Sequence, residues 1–502
     1  MTLDSIILSA YIISLTILFF FGAHGFNMIY YYFKTFNKRT IDLSEEDLFM
    51  TEYPVVTIQI PLYNEQYVIT RLIDSVLRMD YPKDKLEVQI LDDSTDESTK
   101  IISEHIKKYL HQNYDISHIH RTNREGYKAG ALRVGLETAK GEFVAVFDAD
   151  FIPRKKFLKR TIPYFYKNAK LGLVQTRWEH LNREYSLMTK TQAIALDGHF
   201  VIEQAVRNRA GFFINFNGTG GVWRKECIFD AGNWEADTLT EDLDLSYRAQ
   251  MKGWEFKYLI NFTSPAELPS DIGALKSQQF RWTKGAIETA KKIYPAVLKS
   301  DMPLKLKFQS FIHLYSNLAY PFILIAAILN LPVMLIKLSG GYDAVFKIMS
   351  VFIFAFISSF IFYLYSQKDV YPDWQKRIIY LPVFLAGSMG FSVNNTKAVF
   401  EGLLDKKSEF VRTPKYQIMN KKDSWAGKNY VNKKLPFTTY IEALLAVYCF
   451  AGVVIAIATA QVAAVPFQLM FCGGFATISI LSIRQVVISK RMKSQNLAYD
   501  AK

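Results

Sequence analysis

The chain has 502 residues, of which 50% are hydrophobic and 15% aromatic, and a formal net charge of +13. Its three cysteines, Cys227, Cys449 and Cys472, show no Cys-x-x-Cys spacing, which excludes a sequence-evident disulfide framework or zinc site. Lys and Arg gather beside apolar runs, where the positive-inside rule and anionic lipid account for them, so no nucleic-acid partner is expected.

Residues 5–33 are apolar or uncharged and exceed the roughly 20 residues needed to cross a bilayer. Asp4 precedes the run, no small-x-small cleavage site comes after it, and Lys34, Lys38 and Arg39 lie just beyond. These features favour a retained anchor over residues 1–36, with its N-terminus outside, over a cleaved signal peptide. The segment after the anchor is then cytosolic.

Between 50 and 300 the apolar runs shorten and alternate with helical patterns. VTIQI (56–60), LEVQIL (86–91), FVAVFD (143–148) and LGLVQT (171–176) read as strands, and 64–79 and 96–110 as helices. This alternation predicts an α/β domain built on a doubly wound, mostly parallel sheet. Ligands of such sheets bind beyond the carboxyl ends of the strands, where the polar motifs of this chain fall.

After an amphipathic basic stretch, 284–307, long apolar runs return. Residues 308–336 carry no formal charge, 344–366 carry only Lys347, and 443–483 are uncharged and break near Gln461 to Pro466 into two helices. The shorter run 378–399 is interrupted by Asn394, Asn395 and Lys397. Basic residues on both of its sides place it in the interface or make it enter and return. The expectation is about five spans and an interfacial segment: helices in 301–400, a cytosolic loop at 401–436, two helices in 437–488 and a cytosolic tail at 489–502.

The stretch FVAVFDADF, 143–151, ends in two carboxylates one residue apart. On an extended strand Asp148 and Asp150 share a face and converge on one divalent cation, Mg²⁺ or Mn²⁺, that also takes phosphate oxygens. Alone, such a pair is more often a helix cap or a solvated turn. Asp92 and Asp93 end the second strand, as ligand contacts or helix caps. Lys128 stands near Arg124 beside small residues, as a phosphate contact or a solvated helix start. The glycine-rich segment 216–221, which includes Asn217, lacks the Gly-Lys-Ser/Thr ending of a P-loop. Glu241 and Asp242 open a helical pattern, where Asp242 is either a cap residue or a positioned base. Gln278, Gln279, Arg281 and Trp282 stand before the membrane half, where Arg281 suits a diphosphate and Trp282 a sugar face or an interface anchor.

Taken together and in order, Asp92-Asp93, Asp148-x-Asp150, Thr240-Glu241-Asp242 and Gln278-x-x-Arg281-Trp282 resemble the membrane-embedded family 2 glycosyltransferases, which include cellulose synthases, plant mannan synthases and bacterial relatives. Phe410 to Lys415 resembles the gating loop of cellulose synthases, with Arg412 where Val is usual. The stretches 196–204 and 216–219 look closer to mannan synthases. The resemblance implies a GT-A-type domain and inverting transfer from a nucleotide-diphosphate sugar, UDP-glucose or GDP-mannose, to a growing β-linked glycan that is exported. The alternative is transfer of a single sugar to a membrane lipid, as in ceramide glucosyltransferases, and a chain without transferase activity is a third reading.

The roles implied are cation binding by Asp148 and Asp150, base catalysis by Asp242, and grip of nucleoside and phosphates by Asp92, Asp93 and Lys128. Arg281 clamps the diphosphate, and Trp282 stacks beneath the acceptor sugar. Asn217, Glu241, Gln278, Gln279, Thr413 and Lys415 complete the expected substrate-binding set. Partners are a nucleotide-diphosphate sugar, a glycan or glycolipid acceptor and a lipid membrane. The short chain without inserts leans toward a bacterial plasma membrane, and only a short tail is expected after the last span, without a cyclic-dinucleotide-binding domain.

Overall fold

Runs of Val, Ile and Leu that no solvent reaches form the middle of the sheet. In the computed structural model, which describes residues 2–40, 42–431 and 434–500, the strands are β1 (Val56–Leu62), β2 (Leu86–Asp92), β3 (Asp115–His120), β4 (Phe143–Val146), β5 (Leu171–His180), β6 (Gly221–Arg224) and β7 (Glu255–Ala266). Among the described residues they make one sheet in the order β3-β2-β1-β4-β6-β5-β7. Only the short β6 runs against its neighbours β4 and β5, so the sheet is mostly parallel, as the alternating pattern predicts.

Every residue of β1, β2 and β4 is buried, which is how strands covered by helices on both faces read as unbroken apolar runs. Their few polar side chains pair across the ladder. Thr57 donates to Glu87 at 2.5 Å and Gln59 Nε2 to Gln89 at 3.0 Å, so these buried donors do not carry the cost of an unmade hydrogen bond. One face is covered by the helix Ile69–Leu77 through Ile69, Leu72, Ile73 and Val76, and the other by Leu132, Leu136, Ile202 and Val206 among others.

The strand carrying the paired carboxylates is shorter than its sequence suggests. β4 stops at Val146, and Asp148 to Phe151 form a turn closed by Phe151 N–H donating to the Asp148 carbonyl at 3.0 Å. Gly220 N–H donates to the Val146 carbonyl at 2.9 Å, and Thr219 Oγ1 accepts from Asp148 N–H at 2.9 Å. The backbone leaves the ladder there to satisfy the glycine-rich segment beside it, so a turn, not strand alternation, sets where Asp148 and Asp150 point.

Among the described residues five helical stretches are long and apolar enough to cross a membrane: Leu3–Lys34, Leu304–Ser339, Asp343–Lys368, Phe437–Ala458 and Val465–Met492. The pair Trp374–Gly390 and Ser392–Leu403, bent by 46°, coincides with the interrupted apolar run. The last helix continues to Asp500, through most of the expected tail, and residues 501 and 502 lie outside the described residues. The long helix Ile272–Lys299 ties the sheet domain to this region. Lys276 pairs with Glu442 at 2.8 Å, and the Asp271 side chain accepts from Gln485 at 2.8 Å.

Candidate active site

At the carboxyl ends of β1, β2 and β4 the chain opens into one cleft. Lining it are Asp93, Lys128, Asp148, Asp150, Asn217, Glu241, Asp242, Gln278, Arg281, Trp282, Thr413 and Lys415, contributed by segments far apart in sequence. Two expected contacts are not among these lining residues. Asp92 is fully buried below the cleft, where its carboxylate accepts from Ser94 N–H at 2.8 Å, Thr99 at 2.8 Å and His118 at 2.9 Å. Burial alone would raise its pKa, but these donors outweigh it and hold the group at about 2. Asp92 therefore braces the β2 end from beneath. Gln279 is placed one helical step away from the face that Gln278, Arg281 and Trp282 present.

Asp93 reaches the cleft wall, held by a two-pronged pair with Arg121 at 2.6 and 2.7 Å. Lys128, in the first turn of the helix Tyr127–Thr138, donates to Asp148 at 2.6 Å and to the Gly218 carbonyl at 2.8 Å. Burial works to lower its pKa, and Asp148 and Glu241 outweigh it, so the ammonium is retained. Asp148 itself is raised, by burial first and by the charge of Asp150, with Lys128 offsetting part of that cost. Asp150 pairs with Lys415 at 2.5 Å. Two hard oxygen donors thus stand side by side, each neutralised by a lysine, and their chemistry fits a small divalent cation.

Asp242 sits in the first turn of the helix Glu241–Met251. Burial, and then the adjacent charge of Glu241, push its pKa up to about 7, with Lys128 opposing. A carboxyl near neutrality is matched to taking a proton from a hydroxyl. Gly218 comes close to it: a Cβ there would lie 3.0 Å from Asp242 Oδ2 and 3.3 Å from Lys128 Nζ, and its φ of +75° also favours glycine.

Residues 410–415 form the roof. The Phe410 ring stacks on Tyr127 with centroids 5.9 Å apart and lies 4.3 Å from the Arg281 guanidinium. Arg412 reaches the end of β1, donating to the Tyr63 carbonyl at 2.7 Å and pairing with Glu65. The roof also meets residues that the sequence motifs did not single out as ligands. Glu65, Tyr63, His180 and Glu267 line the cleft, and Glu267 accepts from Tyr416 N–H at 3.0 Å while its carbonyl accepts from Lys415. Tyr63 and Glu65, in the segment just after the first strand, had a positional signal; Glu267, which comes after the edge strand β7, had none.

A second carboxylate group, Glu235, Asp237 and Asp244, lies on the far side of the same helix. Lys292 already sits among the three, 2.8 Å from Asp237 and 2.9 Å from Asp244, and Arg248 pairs with Asp244 at 2.6 Å, so two cations of the chain offset most of their charge.

Residues 54–285 match the family described as "Glycosyltransferase like family 2". The chain is 44% identical over 252 residues to "Probable glucomannan 4-beta-mannosyltransferase 4" of Oryza sativa subsp. japonica, covering 49% of this chain and 46% of that protein. It is 42% identical over 270 residues to "Glucomannan 4-beta-mannosyltransferase 1" of Cyamopsis tetragonoloba, covering 53% and 51%. The chain thus spans about half the length of these curated relatives. Among solved structures, the mannosyltransferase PcManGT from Pyrobaculum calidifontis shares the fold with a TM-score of 0.54 at 19% identity, over 78% of this chain and 100% of that one. The lean toward a bacterial source is not borne out, since these curated relatives are plant proteins. Residues 54–285 thus match a glycosyltransferase family 2 model and share a GT-A-like fold with a solved mannosyltransferase, and the chain carries them together with a set of apolar, membrane-length helices.

Proposed function

We propose that the protein transfers mannosyl units from GDP-mannose to the end of a growing β-1,4-linked glycan, with inversion at the anomeric carbon. The observation that carries this reading is a single cleft in which Asp242, Lys128, Asp148, Asp150, Arg281 and Trp282 converge from separate segments. The choice of sugar rests on the relatives, which are named as glucomannan 4-beta-mannosyltransferases, and on PcManGT, which is described in complex with GDP-Man and Mn²⁺.

The residues divide the work by charge. Asp148 and Asp150 would hold Mn²⁺ or Mg²⁺ on the diphosphate, and a cation bound there supplies neutralisation of the leaving group. Lys128 and Arg281 exchange their carboxylate neighbours for phosphate oxygens, with the planar Arg281 fork gripping two at once. Asp93 and the Tyr63 to Glu65 segment border the base and ribose. Asp242 takes the proton of the acceptor hydroxyl as that oxygen attacks the anomeric carbon, and the nucleotide leaves from the opposite face. One displacement converts an α-linked donor into a β-linked product, with no covalent enzyme intermediate. Trp282 offers a flat face to the acceptor ring. The spans beside the cleft would provide the product's exit route.

Donor choice is tested by supplying detergent-solubilised protein with Mn²⁺ and, separately, GDP-mannose and UDP-glucose, then measuring nucleotide release with and without manno-oligosaccharide. Acceptor-stimulated release of GDP is expected. Release of UDP alone would reassign the donor, and no release from either would overturn the reading.

A further inference from the structure

Next to Asp242, the cleft wall contains a side chain whose orientation is fixed from behind. Asn217 Oδ1 accepts three hydrogen bonds: from His199 Nε2 at 3.1 Å, Asn215 Nδ2 at 3.0 Å and Gln204 Nε2 at 3.3 Å. Its amide nitrogen has no hydrogen-bond partner among the described residues. An amide oxygen accepts about two hydrogen bonds in ordinary geometry, so Oδ1 is saturated and Nδ2 is the part left for a ligand. Gly218, the next residue, packs against Asp242.

His199 belongs to an unusual element. Residues Gly198–Gln204 form a π-helical stretch, wider than an α-helix, between the helices Leu187–Asp197 and Ala205–Arg209. Such widened turns cost hydrogen-bond geometry and recur at functional sites. Here the stretch is wedged against the membrane half, since a Cβ on Gly198 would lie 2.4 Å from Tyr363 Cε1. It presents two side chains in series. His199 Nδ1 faces Glu203 Oε2 at 3.0 Å while Nε2 faces Asn217. Both ring nitrogens meet acceptor oxygens, so both carry protons and the ring is an imidazolium paired with the Glu203 carboxylate. Consistent with this, burial would lower the His199 pKa, and Glu203 outweighs it and raises the group above its ordinary value.

We infer that His199 and Glu203 are positioning residues for acceptor recognition: the ion pair locks Asn217 Oδ1 inward so that Nδ2 donates to a hydroxyl of the acceptor sugar whose neighbouring hydroxyl faces Asp242. This rests on the proposed transferase reading. The donor-site residues Lys128 and Asp148 meet the neighbouring Gly218 and Thr219, whereas the positioning pair itself bonds to Asn217 and to neither of them. The consequence is a separable kinetic signature, in which disturbing the pair weakens acceptor binding and leaves donor binding alone.

The test uses full-length solubilised protein with Mn²⁺, the donor that wild type turns over, and soluble β-1,4-manno-oligosaccharide as acceptor, with KM measured separately for each substrate. Wild type inactive with every donor would refute the transferase reading itself, not this one. Asn217→Asp keeps an oxygen toward His199 and replaces the amide donor with a carboxylate oxygen. It is expected to raise acceptor KM about tenfold, the equivalent of one hydrogen bond, with donor KM changed by less than about twofold. His199→Leu is expected to do the same, and the double variant to be no worse than either single one, because both act through one contact. His199→Gln retains a donor toward Asn217 and should recover acceptor KM to within about threefold of wild type, and it carries the test if His199→Leu fails to fold. An unchanged acceptor KM in Asn217→Asp, equal rises in both KM values, or additive effects in the double variant would overturn the assignment.

Discussion

In the proposed reaction Asp242 would be the base, because its carboxyl lines the cleft and its pKa is pushed up to about 7. Asp242→Asn is expected to lower transfer by about 10²- to 10⁴-fold while donor affinity stays near wild type, checked by turnover alongside a donor-binding titration. The pH dependence comes from burial and Glu241, which push this carboxyl up to about 7. Below that pH it is protonated and idle, and above it the base is free, so kcat/KM should rise through about pH 7; an acid limb near pH 4 would contradict the assignment. The same shift bears on stability. A carboxyl that holds its proton more tightly folded than unfolded destabilises the fold above pH 7 and loses that effect as pH falls, so Asp242→Asn should raise Tm at pH 7.5. Asp92 behaves oppositely. Its three donors make it structural, and Asp92→Ala should lower stability by about 3 kcal/mol through the stranded partners, visible as a drop in Tm.

The elements that were legible were those whose sequence carries their burial. β1, β2, β4 and β5 announced themselves as apolar runs because helices cover both faces. β3 was not, because at the edge of the sheet its Asp-Ile-Ser-His-Ile-His pattern is polar and half-exposed, and β6 is only four residues long. The order of the acidic motifs marked most of the cleft, whereas the contacts of Glu267 and His180 depend on how distant strands end together. The turn at Asp148 to Phe151 was read as strand because nothing local shows that the Gly220 amide claims the Val146 carbonyl. The roof at residues 410–415 is held by ring contacts of Phe410 with Tyr127 and Arg281. Phe410→Ala removes about 1 kcal/mol of such contact and should speed tryptic cleavage at the exposed Lys406 and Lys407, tracked by gel and mass analysis.

At the scale of the whole molecule, a sheet domain opens its strand ends toward a membrane-length helical region, and the helix Ile272–Lys299 binds the two through Lys276 with Glu442 and Asp271 with Gln485. The apolar runs made these helices legible, and the bend at 391 was foreshadowed by Asn394, Asn395 and Lys397 interrupting a run too short to span. The packing that would set a product path between the helices is encoded in no single run of residues. The most direct measurement is on the product. Solubilised protein given Mn²⁺ and radiolabelled GDP-mannose should yield a long, labelled glycan that β-1,4-mannanase digests to short oligosaccharides. A single labelled species that partitions with lipid and resists mannanase would contradict the account and make the protein a lipid-directed transferase.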